Sequence, residues 1–174
     1  MRINNLYFSP VKSLSFNNLD TLEIIKNIGI KNDRIFAFSN NLNIKDIELI
    51  KNNPLKREIY KFLSLKKYPE LNEYNFLFEN NFLILEFENK IILETDINNQ
   101  NEVKILCSRL EDMLPNINNI NLLKDSMNPF FDTMPNKSIS LINLNSIKDF
   151  ENLSIEIKVF KGSCRFRPES RSNV

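Results

Sequence analysis

The residues of this chain best suited to chemistry are cations set beside short apolar runs. Lys12 and Ser13 follow Ser9-Pro10-Val11 near the start. A lysine and a hydroxyl just past a strand can hold an anionic group, such as a phosphate or the edge of a pterin, because both donate hydrogen bonds and the lysine adds charge. Arg34, further on in Asp33-Arg34, carries a planar fork that fits phosphate or another oxyanion through paired hydrogen bonds. Arg165-Phe166-Arg167-Pro168 sets two guanidinium groups around an aromatic ring, which could also grip an anion. Between these lie Phe130-Phe131-Asp132 and a run from Ser138 to Ser146, where a strand pattern ends in polar residues at a helix start. Free backbone N–H groups at such a start attract an anion. Each feature also has a plainer reading. Lys12 can be a solvated residue at a strand end, and Arg34 can pair with Asp33 or a nearby glutamate at the surface, a bond worth little. The run ending at Ser146 can be a capped helix, and the last arginines a charged, frayed terminus.

Absent residue types narrow the chemistry. The chain has no histidine, which removes Ser-His and Cys-His dyads, histidine metal sites and the usual neutral-pH base. Its two cysteines, Cys107 and Cys164, form neither a zinc spacing nor a disulfide framework, and such low usage fits a reducing cytosol. The two glycines, Gly29 and Gly162, are too few for a glycine-rich phosphate loop. With 23 basic and 22 acidic residues the net charge is +1, so charge gives no case for nucleic acid or an anionic membrane as partner. Only the last stretch, with Lys161, Arg165, Arg167 and Arg171, is locally basic. No apolar run approaches the ~20 residues of a membrane span, and no apolar leader follows Met1-Arg2. At 174 residues and 42% apolar composition the chain can bury a real core as one domain, or as one module and part of another.

These residues must be positioned by an α+β framework that is mainly β. Leu6 and Phe8 alternate with polar neighbours until Pro10, and the runs 22–25 and 35–38 read as further short strands. Asn17-Asn18 and Lys31-Asn32-Asp33 supply turn chemistry between them, and Gly29 can take a positive φ. Residues 43–63 look helical, with Pro54 as an interruption and a second short helix over 55–62. Residues 74–95 alternate as a three-strand meander turning at Glu79-Asn80-Asn81 and Glu88-Asn89-Lys90. Val103, Leu106, Cys107, Leu110 and Leu114 form one apolar stripe on a helix over 101–114 stopped by Pro115, which puts Cys107 in the core. Residues 116–126 are Asn-rich and read as a loop. Beyond them, 138–142 reads as a strand, 145–150 as a short capped helix, and Ile155, Ile157 and Val159 as a last alternating run.

Taken in order, Pro10-Val11-Lys12-Ser13, Gly29 to Arg34, Phe130 to Ser146 and Arg165-Phe166-Arg167-Pro168 resemble the MOSC family, the domain shared with molybdenum cofactor sulfurases and amidoxime-reducing molybdenum enzymes. The resemblance covers residues 3–40 and 128–168. It implies a β-barrel-like N-terminal module over 1–120, followed by an incomplete MOSC β-barrel over 121–174. It also implies a molybdenum–pterin cofactor bound between the two modules. Lys12, Ser13, Arg34 and Arg167 match the family's cofactor contacts, and Ser138, with Asn136 and Lys137, falls where further contacts lie. The function so implied is reduction of N-oxygenated compounds, with an electron-transfer partner, or sulfur carriage. Family members also occur fused to pyridoxal-phosphate-dependent domains, which this sequence does not contain. The sequence departs from the family pattern at Glu169, where asparagine is usual, and in lacking the family's molybdenum-ligating cysteine, which is expected beyond Val174. Neither Cys107 nor Cys164 is expected to replace it. The alternative expectation is therefore a non-catalytic remnant or anion-binding module that keeps the cationic contacts and loses the metal.

Overall fold

The computed structural model describes residues 5–60 and 62–131. The expectations over 132–174, including Ser138, Cys164 and Arg167, lie outside the described residues.

Hydrophobic patterning builds the fold around one strand. After β1 (Leu6–Phe8), β2 (Asn17–Leu19), β3 (Ile24–Ile25) and β4 (Gly29–Ile30) comes β5 (Phe36–Asn40). Phe36, Ala37, Phe38 and Ser39 of β5 are all buried, so both faces of the strand need cover. One edge of β5 pairs antiparallel with β9 (Ile120–Lys124), from Phe36 opposite Lys124 to Asn40 opposite Ile120. The segment around Val11 bridges in parallel to Phe36, and Phe62 bridges to Ser39. The faces of β5 then feed separate cores. Phe36 and Phe38 join the larger one with Val11, Leu14, Phe76, Leu83, Leu85, Leu106 and Leu110. Ala37 joins a smaller one with Ile50, Leu123 and Phe130.

The other elements cover these cores. α1 (Ile44–Asn52) starts at a capping box in which the Asn43 side chain accepts from the Asp46 N–H and Asp46 accepts from the Asn43 N–H. Pro54 then tightens the chain into a 3-10 turn over Pro54–Ile59, where the sequence suggested a second helix. β6 (Tyr74–Glu79), β7 (Phe82–Phe87) and β8 (Lys90–Asp96) form the expected antiparallel meander. Asn80-Asn81 and Glu88-Asn89 have positive φ at both positions, which matches the twist of a two-residue hairpin. α2 (Gln100–Met113) buries Leu106, Cys107 and Leu110, as the stripe requires.

The chain is thus α+β. Its strands fall into sheets of two or three, and among the described residues none closes into a barrel. Three local expectations need correction. Residues 116–126 are not simply a loop, since Ile120 and Leu123 pass into the cores on β9. Asn17-Asn18 is not a turn but the start of β2, paired with Phe8 and Tyr7 of β1. The run 22–25 shortens to the two residues of β3, which pair with Gly29 and Ile30.

Two substitutions test this packing. The Thr95 hydroxyl is fully buried on β8 opposite Leu83 and has no hydrogen-bond partner among the described residues. Thr95→Val keeps the shape and removes that desolvated group, so urea denaturation is expected to show a gain of about 1 kcal/mol. Arg57, described next, carries the second. Arg57→Met leaves Asp125 without its cation in a mostly buried site, and the same measurement is expected to show a loss of about 3–5 kcal/mol.

Candidate functional site

The N-terminal motif is held against the entry to β5 by its backbone. Phe36 N–H donates to the Pro10 carbonyl at 2.9 Å and Lys12 N–H donates to the Phe36 carbonyl at 2.8 Å. Proline costs nothing here, since only its carbonyl is used. One residue pair earlier, Arg34 N–H donates to the Ser9 carbonyl at 2.6 Å. The Asp33 carboxylate closes the same junction: its Oδ1 accepts from Ser9 N–H at 3.2 Å. On the far side, Phe130 N–H donates to the Arg34 carbonyl at 2.8 Å. Three segments distant in sequence therefore meet at one place: 9–13, 33–36 and 130–131.

The side chains at this junction are cations laid on aromatic rings. Arg34 sits over Phe131, with its guanidinium carbon 4.5 Å from the ring centroid. Its Nε and Nη2 donate to Asp33 Oδ2 at 2.8 and 2.5 Å. The anticipated Asp33 pair thus exists, but it is not a surface pair. The Asp33 side chain is 4% exposed and that of Arg34 21%. Burial on the carboxylate side and a ring beneath fix the plane of the fork, leaving its outer part toward solvent. Lys12 Nζ stands 5.7 Å from the Phe62 centroid. Phe62 in turn meets Phe130 edge-on, with centroids 5.5 Å apart. Lys12 and Arg34 are joined through the Phe62, Phe130 and Phe131 shelf.

Ser13 and Arg34 share a backbone peculiarity. Both have φ in the left-handed region, at 58° and 53°. Most other non-glycine residues of this chain in that region are asparagines, which tolerate it; serine and arginine do so at a cost of about 1–3 kcal/mol each. The Ser13 carbonyl is held there by the Leu65 N–H at 3.2 Å.

Arg57 was not legible as a motif residue. It is buried, and every part of its guanidinium is used. Nε donates to the Ile50 carbonyl at 2.8 Å, Nη1 donates to the Asn128 carbonyl, and Nη2 pairs with Asp125. Its plane lies 4.4 Å from the Phe130 centroid. Arg57 therefore fixes the height of the aromatic shelf from below, tying the end of α1 to the turn after β9. Its sequence neighbourhood reads as part of a short helix over 55–62, and Asp125 lies too far along the chain to mark it.

Cys107 lies on α2 near the Leu122 backbone and the Glu111 carboxylate. Burial pushes its thiol up from 9.0 to about 11; a hydrogen bond with the Leu122 backbone opposes this and the Glu111 carboxylate adds to it. The thiol is therefore neutral near pH 7 and no ready metal ligand. Among the described residues no group of three or more histidine, cysteine, aspartate or glutamate side chains is placed to hold a metal ion. Among them, too, no helix is long and apolar enough to cross a membrane.

A thiol whose pKa is raised on folding stabilises the fold below the unfolded value and loses that contribution as pH rises through the folded one. The window here runs from about 9 to about 11. Peptide-resolved alkylation at pH 8 is expected to leave Cys107 unmodified in the native chain and to modify it fully in urea. Equal rates in the two states would contradict the buried, neutral thiol.

No family model, no curated protein and no solved structure matches this chain.

Proposed function

We propose that the chain binds a molybdenum–pterin cofactor in the manner of the MOSC family, through the junction of Lys12, Ser13 and Arg34. The observation that carries the reading is the meeting of three of the motif segments, 9–13, 33–36 and 130–131, at the head of β5. Burial of β5 brings these segments together, and the cationic and hydroxyl side chains of the motif stand at their meeting point. The chemistry of the donors agrees. Arg34 offers a guanidinium held in one plane, Lys12 adds a cation, and Ser13 adds a hydroxyl on an unusual backbone. Such a set suits the phosphate of a pterin cofactor better than its metal. When bound, the cofactor would supply the redox or sulfur-transfer chemistry. These residues would hold and orient it, and Ser138 and Arg167 would complete the contacts.

The same reading carries a barrel-like N-terminal module, a MOSC segment after it, an electron-transfer partner and a cytoplasmic setting. A second reading has its own observation. Asp33 already neutralises part of Arg34, and Cys107 is buried and protonated, so what these residues support directly is anion binding. In that reading the chain is a non-catalytic anion-binding module.

Expression in a host that makes the cofactor, followed by assay of bound molybdenum and of pterin fluorescence, separates the two. The first reading expects both in near-equal amounts in purified protein. Lys12→Ala and Arg34→Ala are each expected to cut retention by about 10- to 150-fold, the loss of one charge-assisted hydrogen bond of about 1.5–3 kcal/mol. Arg34→Lys should restore part of it, since charge returns without the fork. Pterin with no molybdenum supports the binding module, and neither component in the wild-type chain refutes the cofactor altogether.

A further inference from the structure

The outer face of the meander is apolar at its centre and acidic around it. Phe76 and Phe78 of β6, Leu83 and Leu85 of β7 and Thr95 of β8 turn toward the larger core, so the residues between them lie on the opposite face. Pairing sets these in three rows: Asn75, Glu86 and Ile91; Leu77, Ile84 and Glu94; Glu79, Phe82 and Asp96. Leu77 and Ile84 are half-buried at the middle, and Phe82 and Ile91 beside them are 39% and 54% exposed. No lysine or arginine holds any of these positions, in a chain with 23 basic and 22 acidic residues. Lys90, the one cation of residues 74–96, stands opposite Phe87, whose ring meets Tyr74 on the core side.

The carboxylates of this face have no counter-charge. Glu79, Glu86 and Glu94 make no ion pair among the described residues. The Asp96 carboxylate accepts from Asn98 within its own turn. Like charges on one sheet face repel, and nothing on the three strands offsets them there.

We propose that this face docks a short basic segment of a partner protein, one that also carries apolar side chains. Its apolar groups would rest on Ile84 and Phe82, and its lysine or arginine groups would meet Glu86 and Glu94. Charge complementarity selects a cation-bearing occupant. The apolar centre selects against a purely polar one, since exposed Phe82 and Ile91 are covered only by apolar contact. Size and symmetry select against a second copy of this chain. Three strands and three rows span only about 10 Å by 13 Å, well short of the roughly 800 Å² that each side of a stable interface buries. A two-fold interface would also lay this face on itself, carboxylate against carboxylate. The proposal does not rest on the cofactor reading.

The probe is a short synthetic peptide alternating lysine with isoleucine, titrated into the isotope-labelled full chain and followed by amide shifts. Saturable binding is expected, with the shifts gathered on β6, β7 and β8. The same peptide with glutamate for lysine, or with serine for isoleucine, is expected to bind at least about tenfold more weakly. Glu86→Gln with Glu94→Gln is expected to weaken the first peptide about fivefold, the effect of two exposed charge pairs. Amide exchange in α2 should stay as in the parent chain, which shows that the variant is folded. Equal binding of the serine peptide would reduce the face to a general acidic surface and overturn the proposal. Shifts centred elsewhere, an unchanged affinity in the double variant, or no saturable binding at millimolar peptide would do the same. Carbodiimide links from Glu86 or Glu94 to lysines of the same chain, in the free monomer, would make the chain itself the occupant and overturn it too.

Discussion

A strand buried on both faces and both edges governs this fold. β5 has no way to satisfy its backbone or hide its side chains alone, so the chain must return to it repeatedly. It does so from four places: 10–12, 62–63, 120–124 and, through Arg34, 130. Nearly all of these contacts are long-range, which makes the fold a single interdependent unit around β5 rather than a chain of local hairpins. The cationic junction inherits its precision from this constraint. Lys12 and Arg34 flank β5 residues whose own positions are set by burial, so neither can shift without disturbing Phe36.

The second organising feature is the alternation of cations and rings beside the smaller core. Arg57 is the member that cannot be spared. A guanidinium that is 3% exposed must have its donors used, and Ile50, Asn128 and Asp125 use them. Phe130 then lies over Arg57 and meets Phe62, and Phe131 carries Arg34. The buried arginine works as a structural post and the two outer cations keep partial access to solvent. Division of labour among three similar residues follows from burial and not from residue type.

Periodicity made the meander, α2 and the burial of Cys107 legible, because those elements each bury one face and write that face into the sequence. β9 was hidden for a specific reason. Asn116, Asn118, Asn119 and Asn121 surround Ile117 and Ile120, and asparagine reads as turn chemistry. In a chain with two glycines, asparagine also takes over the left-handed positions, at Asn27, Asn32, Asn41, Asn80, Asn81, Asn89, Asn116 and Asn119. Its abundance therefore marks turns and strand flanks alike, and only pairing with β5 separates them. Of the candidate site, the positions of Lys12, Ser13 and Arg34 were legible as motif residues. The Asp33 tether, the aromatic shelf and Arg57 were not, since each depends on contacts between distant segments.

The backbone sets Ser13 and Arg34 apart at this junction. Where this chain needs a left-handed residue for geometry alone, it nearly always uses asparagine. At Ser13 and Arg34 it uses residues for which that conformation is costly, and it spends buried hydrogen bonds from Ser9, Leu65 and Phe130 to hold the surrounding backbone. Asparagine or glycine at either site would relieve the strain and leave those backbone bonds available. With Glu88 in its hairpin turn, Ser13 and Arg34 are the positions where this chain takes the left-handed conformation without asparagine or glycine. The Arg34 side chain is used internally, through Asp33 and Phe131. Ser13 has no such internal use among the described residues, as its recorded bond runs through its carbonyl. Its hydroxyl, beside Lys12, takes no part in the hydrogen bonds that hold the junction among the described residues.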